Sequence, residues 1–190
     1  MARIRTFVAI AIPNDVRDRT VRLIDKLSDT TDSVRWVDPE NLHVTVKFLG
    51  DVDDTEIYQV CRSVADATSQ HASFVANCES LGAFPKLEKP RTVWLGVHDE
   101  QDQLISLFQS VDESLKKSMG FPLEVKQIRP HLTLGRLRYG RKDTAELTEQ
   151  IKSLAEYQAG AVPVDELIIF ASELTRQGPV YNVLGRAALG

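Results

Sequence analysis

The sequence predicts an α+β fold built on antiparallel sheets, and three observations carry that expectation. Strand-like stretches follow one another without an intervening helix, as at residues 73–78 and 91–97. Helical stripes are interleaved among them with the spacing of half-buried helices. Neither a G-x-G-x-x-G fingerprint nor a P-loop is present, which removes the usual doubly wound nucleotide cradles.

Residues 5–12 are rich in β-branched and apolar side chains and read as a buried first strand. Asn14 reads as the N-cap of a helix whose inward stripe is Val16, Thr20, Leu23, Ile24 and Leu27. Residues 34–37 make a short strand, and Asp38-Pro39-Glu40-Asn41 is a turn by composition. The clearest strand of the first half is 42–49, closed by Gly50-Asp51. A second helix over 55–67 turns Ile57, Val60, Cys61 and Val64 inward. After the strand at 73–78, Gly82-Ala83-Phe84-Pro85 reads as a loop leading to the strand at 91–97. A third helix over 101–119 places Leu104, Leu107, Phe108, Val111 and Leu115 on one face. A strand at 131–137, a short helix near 144–154 and two last strands at 166–173 and 180–186 complete the order. The last two are joined through Gln177-Gly178-Pro179.

No linker or low-complexity stretch interrupts the 190 residues, so 1–190 is expected to be a single domain with a substantial core. A net charge of −4 argues against a long, sequence-independent nucleic-acid footprint and leaves room for a local site for a nucleotide end. The two cysteines, Cys61 and Cys78, form no metal-binding pair and read as small buried hydrophobes. The N-terminal apolar run ends at Pro13-Asn14-Asp15, too short to cross a membrane. A cytoplasmic protein with no membrane association is the expectation.

One short pattern occurs twice. Leu42-His43-Val44-Thr45-Val46 is matched by Pro130-His131-Leu132-Thr133-Leu134. Side chains alternate along a strand, so each copy presents an imidazole and a hydroxyl on one face and aliphatic residues on the other. In-line displacement at phosphorus needs one group to accept a proton from the nucleophile and another to give one to the leaving oxygen. Histidine suits both roles because its ordinary pKa is about 6.5. The threonine hydroxyls are candidate donors to phosphate oxygens. A lone His-x-Thr on a strand is weak, since such a histidine is usually packed or merely exposed. Two matched copies in a chain with 4 histidines are stronger. His71 and His98 read as surface residues. A zinc site would need a third ligand that neither copy has at a suitable spacing, so no metal and no cofactor are expected.

Lys126, Arg129, Arg136, Arg138, Arg141 and Lys142 fall in a stretch without acidic residues. It is either a solvated basic edge or an anion site beside His131. Arg136 is the best anion-site candidate because Gly135 lets the strand bend, although strict alternation turns Arg136 away from His131. By parity Lys47 shares the His43 face and is a second phosphate candidate. Phe84 is a candidate base-stacking residue, while Phe48 reads more readily as core.

These residues resemble the two-histidine phosphoesterase superfamily, and within it the RNA 2′,3′-cyclic phosphodiesterases, also called 2′-5′ RNA ligases. The likeness runs through Arg5-Thr6-Phe7-Val8-Ala9-Ile10, residues 36–50, Gly82-Ala83-Phe84-Pro85, residues 90–96, residues 130–136 and Gly178-Pro179-Val180-Tyr181. The resemblance implies two pseudo-symmetric lobes, each an antiparallel sheet backed by helices, flanking a central cleft. It implies His43 as proton donor to the leaving oxygen, His131 as proton acceptor from water, and Thr45 and Thr133 as phosphate ligands. The implied reaction is hydrolysis of RNA 2′,3′-cyclic phosphate ends to 2′-phosphates, without metal or obligate protein partner. ATP-independent 2′-5′ joining of RNA ends and action on small cyclic nucleotides remain open as alternatives. A non-catalytic binder of nucleotide ends would leave the duplicated pair without a purpose.

Overall fold

The structure is a computed structural model that describes residues 2–123, 127–138, 140, 144–176 and 178–190. In chain order its elements are β1 (Arg3–Ala11), α1 (Asn14–Ser28), β2 (Val34–Trp36), a 3-10 turn (Pro39–Asn41), β3 (His43–Asp53), a second 3-10 turn (Asp54–Glu56), α2 (Ile57–Thr68), β4 (Phe74–Phe84) and β5 (Thr92–His98). There follow α3 (Gln103–Met119), β6 (His131–Leu137), α4 (Ala145–Ser153), β7 (Gln158–Val164), β8 (Glu166–Thr175) and β9 (Gly178–Ala188).

The strands form one sheet in the order β7-β4-β5-β6-β3-β1-β8-β9, with β2 pairing β6 beside the main path. All strand pairs are antiparallel, as expected. Outward from the β6–β3 seam the two halves repeat each other, and the seam itself is held by a single paired position, Val44 opposite Leu132. Helices α2 and α3 pack together against β3, β8 and β9. Helices α1 and α4 pack against β2, β4 and β7. Each lobe is therefore an antiparallel sheet backed by a helix pair. The pairs are not local in sequence: α1 follows β1 yet covers the lobe of β4 and β7, and α3 follows β5 yet covers the lobe of β3.

The apolar pattern explains the core. Val16, Thr20, Leu23, Ile24 and Leu27 of α1 are all buried, as the helical stripe requires. Leu104, Leu107, Phe108, Val111 and Leu115 of α3 are buried likewise. Val44, Val46, Leu132 and Leu134 fill the helix-covered side of the sheet. Cys78 is buried and its thiol pKa is pushed up to about 12 by that burial, whereas Cys61 is only half-buried. No helix among the described residues is long and apolar enough to cross a membrane.

Several local expectations are corrected. Asn14 is the first helical residue and not the N-cap; extended Pro13 occupies the cap position and no side chain caps the helix. Helix α3 starts at Gln103 because Asp99 accepts the backbone N–H groups of Gln103 and Leu104, both at 2.9 Å. Gly50-Asp51 does not close β3. Gly50 has φ +74° where the pairing skips from Thr6 opposite Gly50 to Phe7 opposite Phe48, so it belongs to a bulge and not a turn. Gly82-Ala83-Phe84 is strand, not loop. The Trp94 indole covers Gly82, where a Cβ would lie 2.5 Å from the ring, so the glycine serves close packing. Gly178 and Pro179 begin β9 instead of forming a turn, and Gln177 lies outside the described residues. Strand β7 has no counterpart among the strands the sequence predicts, because Gly160 and Pro163 weaken its pattern; it is tolerated at the sheet edge.

Strand β2 docks on β6 through another close approach. Trp36 faces Gly135, and a Cβ on Gly135 would fall 2.6 Å from Val34 Cγ1 and 2.7 Å from Trp36 Cε3. Gly135→Ala is expected to lower stability by about 1–3 kcal/mol through overpacking, read as a lower urea midpoint at unchanged slope.

Candidate active site

His43 and Thr45 of β3 leave the core face, as do His131 and Thr133 of β6. Antiparallel pairing at Val44 and Leu132 turns the two units in opposite directions, with His43 towards the Thr133 end and Thr45 towards the His131 end. The two units thus lie head to tail across the seam.

Just beyond each unit the strand carries one extra residue. In β3 the register skips Val46, between Thr45 opposite Ala9 and Lys47 opposite Val8. In β6 it skips Leu134, between Thr133 opposite Trp94 and Gly135 opposite Val93. A bulge resets the alternation. Lys47 and Gly135 are therefore turned into the core, and Phe48 and Arg136 return to the histidine face.

That reset corrects two expectations. Lys47 does not share the His43 face: it is buried, paired with Asp112 of α3, and donates to the Pro122 carbonyl at 2.7 Å. It ties β3 to α3. Phe48 is not core. It is 49% exposed, with the Arg5 guanidinium 4.8 Å from its ring centre. Arg136 gains from the same reset, because the bulge removes the objection from alternation. Of the remaining basic stretch, Arg129 and Arg138 are exposed, and Lys126, Arg141 and Lys142 lie outside the described residues. His98 is exposed and pairs with Glu79, while His71 is half-buried against Ser110.

The two imidazoles are oriented alike. His43 Nδ1 lies 2.7 Å from the Asn41 carbonyl, and His131 Nδ1 lies 2.7 Å from the Arg129 carbonyl. A carbonyl only accepts, so Nδ1 carries the hydrogen in both rings and Nε2 is left for chemistry. At His43 the Thr45 hydroxyl is 3.0 Å from Nε2 and donates to it while the ring is neutral. Aromatic rings fix each imidazole from the sides. The Phe7 and Tyr181 ring centroids stand 4.9 and 5.4 Å from that of His43 and 4.9 Å from each other. Phe84 and Trp94 flank His131 at 5.0 and 6.4 Å. Phe84, the stacking candidate of the sequence, packs edge-on against His131. Phe7, Trp94 and Tyr181 gave no local signal of their role, because what brings them in is pairing with distant strands.

Both histidine pKa values lie below their ordinary 6.5. Burial is the main cause, the hydrogen bond to the backbone carbonyl opposes it, and the positive charge of Arg136 adds to the lowering at both rings. Among the described residues no three His, Cys, Asp or Glu side chains converge as a metal site.

Comparison with known proteins agrees with this arrangement. The family model for LigT-like phosphoesterases matches the chain twice, over residues 10–94 and 95–181. A protein of Methanothermobacter thermautotrophicus named RNA 2′,3′-cyclic phosphodiesterase is 35% identical, over 95% of this chain and 96% of its own. One of the same name from Thermotoga maritima is 33% identical, over 95% of this chain and 92% of its own. Among solved structures, TT0787 of Thermus thermophilus superposes with a TM-score of 0.81 at 25% identity, covering 97% of each chain. E. coli LigT complexed with 3′-AMP shares the fold with a TM-score of 0.76 at 24% identity, covering 98% of each chain. Fold and duplicated motif define a phosphoesterase of two related halves. The chain belongs to the LigT-like, two-histidine phosphoesterase family.

The electrostatics can be tested directly. Both imidazoles should titrate below 6.5 by NMR in the free protein, and Arg136→Ala should raise both midpoints. Because the folded values are lowered, the unfolded chain takes up these protons first as pH falls. Folding stability should therefore decline as pH drops below about 6.5 and level off below the folded values.

Proposed function

We propose that this chain hydrolyses 2′,3′-cyclic phosphate ends of RNA to 2′-phosphate ends, without a metal, with His43 as proton donor and His131 as proton acceptor. The observation that carries the reading is the pair of imidazoles with Nδ1 anchored on carbonyls, set in antiparallel register across the seam beside two threonine hydroxyls. The names of the relatives support the substrate class, and the family resemblance supports the division of roles between the histidines. The whole two-lobed chain acts as one domain, and its free cysteines fit the reducing cytoplasm.

The reaction runs in line. A water held at His131 Nε2 attacks phosphorus and passes its proton to that nitrogen. The bond from phosphorus to O3′ breaks on the opposite side, and O3′ takes the proton from His43 Nε2. The product carries a 2′-phosphate and a free 3′-hydroxyl. Thr45 and Thr133 donate to the phosphate oxygens as charge builds in the transition state, and Arg136 adds positive charge to the site. Burial lowers both imidazole pKa values in the free protein, and a bound phosphate anion raises that of His43, which enters the reaction protonated.

His43→Ala and His131→Ala should each reduce turnover by roughly 10²–10⁴ while retaining the native circular dichroism. The double variant should be little worse than the worse single one, because the pair acts as a unit. These assays are run after exhaustive chelation, and loss of wild-type activity that a divalent ion restores would replace the reading with a metal hydrolase.

The products of an RNA ending in 2′,3′-cyclic phosphate test the direction of opening. A single 2′-phosphate product is expected, since one in-line pose places one ring oxygen opposite the water. A mixture of isomers would contradict a fixed pose, and a clean 3′-phosphate would reverse the bond assignment.

A further inference from the structure

We infer that Lys47 and Asp112 are positioning residues of the active site: their buried ion pair holds β3 in the bulged register that keeps the Thr45 hydroxyl against His43. The inference rests on the cyclic-phosphate reading above, in which Thr45 is a donor to the phosphate.

The ground is an inverted choice of faces. Lys47 and Asp112 are the only charged side chains buried among the described residues. The residue after Lys47, Phe48, is left half-exposed. An ammonium in the core next to a phenyl ring in water runs against the transfer preferences of both. Strict alternation from Thr45 would do the opposite, with Lys47 in solvent and Phe48 buried. The ladder itself holds the observed arrangement weakly. Residues 45–50 of β3, six in number, run against the four residues 6–9 of β1, so a bulge lies on either side of the paired positions Lys47 and Phe48. Two ladder positions between two bulges do little to fix a register.

What does fix it comes from α3. Asp112 stands on the buried stripe of that helix, and the Lys47 ammonium pairs with it and donates to the Pro122 carbonyl at 2.7 Å. Lys47 is thereby fastened both to the helix and to the chain just past its end. A buried ion pair contributes little net stability over apolar residues of the same volume, and its best-attested use is to select one register. Here the selected register has Val46 as the extra residue between Thr45 and Lys47. A bulge sharpens the twist of the strand and re-aims the side chain beside it. Thr45 is that side chain, and its hydroxyl stands 3.0 Å from His43 Nε2. Lys47 and Asp112 both lie on the helix-covered side of the sheet, so they act through Thr45 and not on the substrate.

The test replaces the pair by apolar residues of similar volume, Lys47→Met together with Asp112→Leu, and measures hydrolysis of an RNA ending in 2′,3′-cyclic phosphate. The urea midpoint should hold or rise. Turnover, kcat, should fall by roughly tenfold to a hundredfold, up to the cost of one lost transition-state donor, with KM little changed. Thr45→Val should cost little more in this background, although it is costly in the wild type, because both changes remove the same contact. Thr133→Val should cost its full factor in either background. If the double variant does not fold, Asp112→Asn, which keeps the shape and an acceptor for Lys47, is put through the same cycle. Wild-type kcat at a held midpoint, or losses that multiply in full with those of Thr45→Val, overturns the positioning role and leaves the hydrolase reading intact. A wild-type protein without turnover on this RNA fails the hydrolase reading, and the inference falls with it.

Discussion

Val46 in β3 and Leu134 in β6 each sit where the pairing with the neighbouring strand slips by one residue, and the composition of the cleft follows from those two slips. A strand that kept strict alternation from His43 would present Lys47 to the cleft and bury Phe48. A strand that kept it from His131 would bury Arg136. The bulges reverse both outcomes. They send a lysine into an ion pair with Asp112 and a glycine under Val34 and Trp36. In exchange the cleft gains an aromatic ring in one lobe and a guanidinium in the other. The halves are related in backbone but not in what they offer a substrate.

The seam between the halves is thin. One paired position joins β3 to β6, so the strands diverge on either side of it and leave room between the two His–Thr units. The helices compensate for so little backbone pairing. Each lobe is covered in part by a helix from the other half of the chain, so the lobes share a continuous core of buried aliphatic side chains. On the opposite face of the sheet the imidazoles are packed between aromatic rings, with Nδ1 held by the Asn41 and Arg129 carbonyls, which sets their tautomer, and burial lowers both pKa values. Arginine near both rings works in the same direction.

Positive charge in the cleft stands against the mild negative charge of the whole chain. The difference is local: Arg3 and Arg5 of β1 face Asp53 and Asp51 of β3, whereas Arg136 acts on both imidazoles.

By itself the sequence determined most of the element types, strand β7 and the end of β4 excepted, the antiparallel character of the sheets and the buried stripes of α1 and α3, because these follow from periodicities of two and 3.6 residues that are local. It also picked out His43, Thr45, His131 and Thr133, because a repeated His-x-Thr needs no distant partner to be visible. It could not decide which residues beyond each threonine face the cleft. Lys47, Phe48 and Arg136 changed sides through bulges, and a bulge is a property of two strands and not of one. Gly50 and Gly82 looked like turn residues, yet one serves a bulge and the other the ring of Trp94. Phe7, Trp94 and Tyr181 reach the site only through pairings with strands far away in the chain. Those pairings are set by how the whole sheet closes around one shared core, so only the tertiary structure could decide them.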